Sequence, residues 1–320
     1  VGIELRTGAY ALSLLAAPIN VQVVIALDGE PKSLVDLRRA AGSPPPTTFR
    51  GHLKALAEIG VLERSHAEGA VGAMYELRES GRELVSVAET LRAWLAEAPD
   101  GPVTLGSAAA KSAVKAAAEG WSTGIMRALA SKPLTLTELD RLITDVTYPS
   151  LERRLEAMRL AGQIEPVASK GRGTPYTVTE WLRKAIAPLI AGVHWERTHM
   201  ADQTVPVTQV DVEAAFMIVI PMLDLPADVS GTSRLAVELN GSRGKRLAGV
   251  MVEVEKGQVG TCTSRLEGDP TASGIGSATA WIRAVTDPAP EQLDIDGDHK
   301  LAGALINGLH DVLFGTLRQR

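Results

Sequence analysis

Residues 27–37 read Leu27-Asp28-Gly29-Glu30-Pro31-Lys32-Ser33-Leu34-Val35-Asp36-Leu37. Residues 129–139 read Leu129-Ala130-Ser131-Lys132-Pro133-Leu134-Thr135-Leu136-Thr137-Glu138-Leu139. Leu, Pro, Leu, an acid and Leu recur at the same spacing, about 102 residues apart, and the register continues to Leu53/Leu155 and Gly60/Gly162. Beyond that it slips by one residue, so that Tyr75 and Trp94 meet Tyr176 and Trp195. An ungapped match followed by a single slip is what a duplicated unit with one variable loop produces. The period is too long for a solenoid repeat and suits two copies of a small domain.

Working outward, each copy opens with an apolar helix, Val21–Leu27 and Ile125–Leu129. A Pro-containing turn follows, then a short helix led by Ser33 or Thr135, hydroxyl residues suited to capping its first amides. The longer helix comes next. Phe49, Leu53 and Leu56, like Leu151, Leu155 and Met158, recur at helical spacing and are expected to face the core. Gly60 and Gly162 are expected to end these helices in a left-handed cap. The period then changes to that of strands: residues 61–64 and 74–77 in copy one, 163–167 and 176–179 in copy two. A closing helix follows and runs to about Trp94 in the first copy.

This order, with Tyr75-x-Leu77-x3-Gly81 and Tyr176-x-Val178-Thr179 after the hairpin, resembles HxlR-type winged helix-turn-helix regulators over most of residues 10–200. Two departures stand out: Pro44-Pro45-Pro46 stiffens the approach to the first long helix, and Leu182 occupies the place of Gly81. The resemblance implies a long helix that enters the DNA major groove and a wing that touches backbone. It marks Thr47, Thr48, Arg50 and Lys54 in copy one. In copy two it marks Ser150, Arg153 and Arg154, with Lys170 and Arg172 at the wing tip. Copy two is the expected stronger reader, because wing one holds Glu68 and no Lys or Arg, and Gly51 weakens its long helix. Such regulators act as dimers, so the chain is expected as a monomer with an internal pseudo-dimer or as a homodimer.

From Ser233 onward the pattern is mixed. Strands are expected at residues 233–239, 247–254 and 258–263, with Lys256-Gly257 turning between the last two. Helices are expected at residues 211–223, broken by Pro221, and at 278–285 and 301–314. Trp281, the Asp294-Ile295-Asp296-Gly297-Asp298 run and the closing Leu repeat resemble sterol-carrier-protein-like domains. That implies an apolar cavity, with Trp281 either on its wall or buried as structure.

The expected fold is therefore mainly α with α+β: winged-helix domains at 10–98 and 110–200, then a smaller α/β sterol-carrier-like domain at 203–320. Residues 98–102, Ala-Pro-Asp-Gly-Pro, are the expected hinge. The chain has 320 residues, 45% hydrophobic and only 4% aromatic, so its cores rest on Ala, Leu, Val and Ile. One cysteine, no long apolar run and no basic-then-apolar leader point to a cytoplasmic protein without membrane contact. Net charge is −5, yet residues 111–200 carry an excess of about four cations.

The six histidines are scattered, Asp294, Asp296 and Asp298 lack the Glu that an EF-hand needs, and no nucleophile–base motif appears. Neither an enzyme, a metal nor a cofactor is expected. The Gly-Ser pairs at 106, 241 and 276 are expected as turns. Two functions remain open: a DNA-binding regulator answering to an apolar small molecule, or a sequestering protein for such a compound, antibiotic-like, built on winged helices that no longer hold DNA.

Overall fold

The computed structural model describes residues 8–65, 73–169, 172–200, 206–241, 244–287 and 292–315. Wing one beyond Ser65 and the wing-tip residue Lys170 lie outside them. The first run of elements is α1 (Ala9–Ala16), α2 (Pro18–Ala26), β1 (Lys32–Ser33), α3 (Leu34–Ala40), α4 (Pro46–Glu58), β2 (Leu62–Ser65), β3 (Met74–Leu77) and α5 (Glu79–Ala96). The second is α6 (Ala108–Ser122), α7 (Ile125–Leu129), β4 (Leu134–Thr135), α8 (Leu136–Leu142), α9 (Tyr148–Leu160), β5 (Ile164–Pro166), β6 (Pro175–Val178), α10 (Glu180–Lys184) and α11 (Ile186–His199). The two three-stranded sheets have the same antiparallel order, β1-β3-β2 and β4-β6-β5, and the same register: Leu62 faces Leu77 as Ile164 faces Val178.

The local causes are those the residues announce. Ser33 Oγ accepts the amide of Asp36, and Thr135 and Glu138 close a reciprocal capping box. Gly60 (φ +76°) and Gly162 (φ +70°) end α4 and α9, and the next amides, Val61 and Gln163, reach back to the carbonyls of Leu56 and Met158. Phe49, Leu53 and Leu56 are buried, as are Leu151, Leu155 and Met158. The copies diverge at their last helix. α5 runs unbroken for 18 residues, whereas its counterpart divides between α10 and α11. Pro188 explains the break, because its ring would strike the carbonyl of Lys184 in a continuous helix. Copy one has Val87 at that place.

The two units pack through equivalent helices, α1 against α6 and α5 against α11. Trp94 Nε1 donates to Trp181 O (2.8 Å), and Trp195 Nε1 donates to Ser80 O (2.6 Å). The 101-residue offset carries Trp94 onto Trp195 and Ser80 onto Trp181, so this is one bond made twice across a pseudo-twofold axis. Trp181 Nε1 also returns a bond to Trp94 O (2.8 Å), and the two rings stack with centroids 4.5 Å apart. The symmetry is imperfect. Glu196, buried on α11, accepts the amides of Gly8 (2.8 Å) and Ala11 (2.9 Å) at the start of α1, whereas its counterpart Leu95 has no carboxylate.

The segment expected as a hinge is instead tied down. Val103 N and Ala98 N both bond Leu95 O, Gly101 N bonds Ala98 O, and Pro99 lies against the backbone of Gly162, where a Cβ would stand 2.9 Å from Pro99 Cγ. Two prolines and a closed turn make a short stiff strap, not a free joint.

The remaining residues form a five-stranded sheet of order β11-β10-β7-β8-β9, built from β7 (Gly231–Gly241), β8 (Gly244–Glu255), β9 (Gln258–Thr263), β10 (Ala272–Ser277) and β11 (Asp294–Gly297). It packs with α12 (Gln209–Val219), α13 (Ala278–Thr286) and α14 (His299–Phe314). β10 runs parallel to β7, and the other pairs are antiparallel. Lys256 (φ +49°) and Gly257 (φ +78°) form the tight turn expected between β8 and β9. Pro221 falls in a single 3-10 turn, Ile220–Met222, that ends α12.

One Gly-Ser reading needs correction. Gly276-Ser277 ends strand β10, after which Ser277 caps α13; Gly241 is the last residue of β7, paired with Gly244 at the start of β8, and Ser242 lies outside the described residues. Asp298 caps α14 through the amides of Lys300 and Leu301. Among the described residues, no group of His, Cys, Asp and Glu gathers as a metal site. No single helix among them is long and apolar enough to cross a membrane. The pair α1–α2, bent by 90°, has the composition, but Leu12, Leu15, Val21 and Val24 are buried in the core.

Candidate functional site

An apolar cavity of about 140 Å³ lies where the paired units meet the third. Helix α11 supplies one wall through Ile186, Leu189, Ile190 and Val193, and Trp121 on α6 adds to it. α12, α13, α14 and β7 supply the rest, including Phe216 and Trp281. The sequence explains the position. Residues 186–193, Ile-Ala-Pro-Leu-Ile-Ala-Gly-Val, are apolar on every face of their helix, which forces burial on two sides. One side meets α1 and α5 of the first unit, and the other meets the third unit.

Trp281 fills both roles weighed for it. Its indole N–H donates to Ala236 O at 2.7 Å, which fixes the ring in the sheet, and the ring stands edge-on to Phe216, centroids 5.2 Å apart. Three aromatic rings therefore converge on one space in a chain that is only 4% aromatic. Asp211 is the one charged residue among the described lining residues. Its Oδ1 accepts Arg127 Nη1 at 3.2 Å, and its Oδ2 accepts the amide (3.0 Å) and hydroxyl (2.7 Å) of Thr208. Both carboxylate and guanidinium are nearly buried, joining α12 to α7.

Across α11 lies a second, more polar groove between α5, α11 and the third unit, lined by Glu83, Arg92, His194 and Phe314. Burial holds the His194 imidazole below its ordinary pKa, with Glu83 pulling the other way. His199 Nε2 stands 2.9 Å from Glu83 Oε2.

The proposed DNA-contacting residues are unequally placed. Thr47, Thr48, Arg50 and Lys54 are all exposed on α4, with Lys54 near Glu58 (3.6 Å). On α9, Arg153 is exposed and Ser150 half-buried, with Arg153 Nη2 3.4 Å from Ser150 Oγ. Arg172 is exposed beside the hairpin. Arg154 is corrected: it is buried, 7% exposed, with Nε 3.9 Å from Glu119 of α6. Three residues after Leu151 and four before Met158, it falls on the core side of α9. The outer face of that helix then carries Glu152, Arg153, Glu156 and Arg159, two charges of each sign, with Arg159 clamped on Glu156 (2.6 and 2.7 Å).

The cation excess of the second copy is thus partly internal. Arg127 holds Asp211, Arg154 faces Glu119, Arg183 donates to Ile218 O, and Lys184 pairs with Glu97 at 2.5 Å. Of the two long helices, α4 presents Arg50 and Lys54 with Glu58 nearby, whereas the outer face of α9 is balanced in charge. The sequence gives no warning of Asp211, Trp121 or the α11 wall as a site, although the all-round apolar run at 186–193 is a legible sign of a helix buried between two bodies. A scan against protein-family models finds no match, and a search of curated proteins finds none either.

Proposed function

We propose that the chain is a DNA-binding transcription regulator answering to a small apolar molecule. In this reading two HxlR-type winged helix-turn-helix units are paired within one chain, and a sterol-carrier-like third unit completes the effector pocket. The observation that carries it is the double duty of α11. The helix that walls the cavity through Ile186, Leu189, Ile190 and Val193 also joins the two units through Trp195 and Glu196. A ligand that fits one arrangement of α11 better than another shifts the relative placement of α4 and α9 by the difference in its affinity for the two. No catalysis is assigned to the protein.

The neutral outer face of α9 favours a second reading, a protein that sequesters the apolar compound without holding DNA. Titration of a random DNA duplex against salt separates the two. A regulator binds at low salt with an affinity that falls steeply as salt rises, and the duplex affinity changes when the cavity is filled. No duplex binding at low salt selects the sequestering protein.

A further inference from the structure

Resting on the cavity being a ligand site, we infer that its occupant is a neutral one- or two-ring aromatic bearing a hydrogen-bond donor: the phenol and arylamine class. Size comes first. A cavity of about 140 Å³ is close to the ~150 Å³ apolar cavity that takes up benzene, and it is too small for a long lipid chain. Shape comes next. Trp121, Phe216 and Trp281 offer flat apolar surfaces, and Phe216 and Trp281 already stand edge-to-face, the arrangement aromatic rings prefer among themselves.

The polar end is decided by counting acceptor sites on Asp211. A carboxylate offers about four lone pairs. Oδ2 takes two donors from Thr208, while Oδ1 takes a single N–H from Arg127. Oδ1 therefore keeps room for one further donor without displacing anything. Arg127 is not among the residues lining the cavity, but its guanidinium holds the same Oδ1, so the pair is neutral overall and what it offers a ligand is an acceptor. An O–H or N–H is accepted there, whereas an anionic group entering the apolar cavity faces an acceptor and is costly to bury.

The probes are phenol, toluene and benzoate, titrated into the full chain by calorimetry. Without an acceptor in the cavity toluene binds better than phenol, because burying an unpaired hydroxyl is unfavourable. With Asp211 accepting, phenol binds tighter than toluene by about tenfold or more, and benzoate does not bind. Asp211→Asn lowers phenol affinity to that of toluene or below while toluene binding persists. Ala215→Leu, which narrows the cavity from its wall, weakens both.

If toluene matches or exceeds phenol in the wild type, or benzoate binds, the donor inference is overturned while the apolar cavity stands. If none of the three binds, the ligand reading itself falls. The wild-type comparison decides the matter even should Asp211→Asn fail to fold.

Discussion

Replacing Trp94 with Phe strikes the seam between the two repeated units at its least replaceable point. The indole N–H donates to Trp181 O, and the backbone offers that carbonyl no substitute. At the break before α11 the amide of Ala185 turns back to Leu182 and Arg183 instead of reaching Trp181. Trp94→Phe therefore leaves a buried carbonyl without its donor, costing about 1–3 kcal/mol. The smaller ring gives up part of a stacked pair that contributes about 0.5–1.5 kcal/mol beyond its area. We expect a loss of about 2–4 kcal/mol in urea unfolding followed by circular dichroism.

The pseudo-symmetric change, Trp195→Phe, removes an equivalent bond to Ser80 O. Ser80 lies inside the continuous helix α5, where a carbonyl keeps the amide four residues on, so its loss is nearer 1–2 kcal/mol. Trp94→Phe with Trp181→Phe should be non-additive, since each indole donates to the other's carbonyl. A Trp94→Phe effect under about 0.5 kcal/mol, or a larger effect from Trp195→Phe, would refute the argument that the helix break makes this bond irreplaceable.

Three further outcomes are expected. Arg50→Ala should flatten the salt dependence of duplex binding by about one phosphate, whereas Arg154→Ala should leave the slope alone and cost about 1–3 kcal/mol of stability through the buried packing it removes, Glu119 keeping Lys115 as a partner; equal slope changes would restore Arg154 to the DNA face. Burial pushes the Glu196 carboxyl up, against the lowering pull of the Ala11, Gly8 and Tyr10 amides, so its contribution to folding is full below about pH 4.3 and is lost as pH rises through the raised value. The stability of the wild type relative to Glu196→Gln should accordingly fall from pH 4 to pH 7, and parallel urea midpoints would contradict this. The Cys262 thiol is pushed up to about 12 by burial, so at pH 8 it should react with a disulfide reagent far more slowly folded than in urea, and equal rates would count against its placement.

The repeat was legible because its signals are local. Caps such as Ser33 and Thr135, the stops at Gly60 and Gly162, and the buried spacing of Phe49, Leu53 and Leu56 each depend on residues within one or two turns. Strand β10 was not legible, because Ala272-Ser-Gly-Ile-Gly-Ser lacks the bulky alternation that marks a strand. It holds its place by pairing with β7 and β11, and Gly274 lies beneath Trp281, where a Cβ would stand 3.6 Å from the ring. Arg154 misled for a related reason. Helical spacing places it beside the core, but its length and charge argue for solvent, and only the nearby Glu119 on another helix makes burial tolerable.

The cavity lies further still from what a linear reading reveals, since its walls come from α6, α11, α12, α13, α14 and β7, and no two of its aromatic rings are near neighbours in the chain. What the sequence does record is a contradiction. Residues 186–193 are apolar on all faces, yet they sit where copy one has an amphipathic stretch, residues 85–92, with Glu89 and Arg92. A duplicated helix that has lost its solvent face must have gained a neighbour, and here that neighbour is the third unit. Pro188 belongs to the same change: by splitting α10 from α11 it leaves Trp181 O for the Trp94 indole to cap, while Leu189 and Ile190, just beyond it, line the cavity. The asymmetry between the two copies is therefore marked on α11, a helix that touches the first unit, the third unit and the cavity at once.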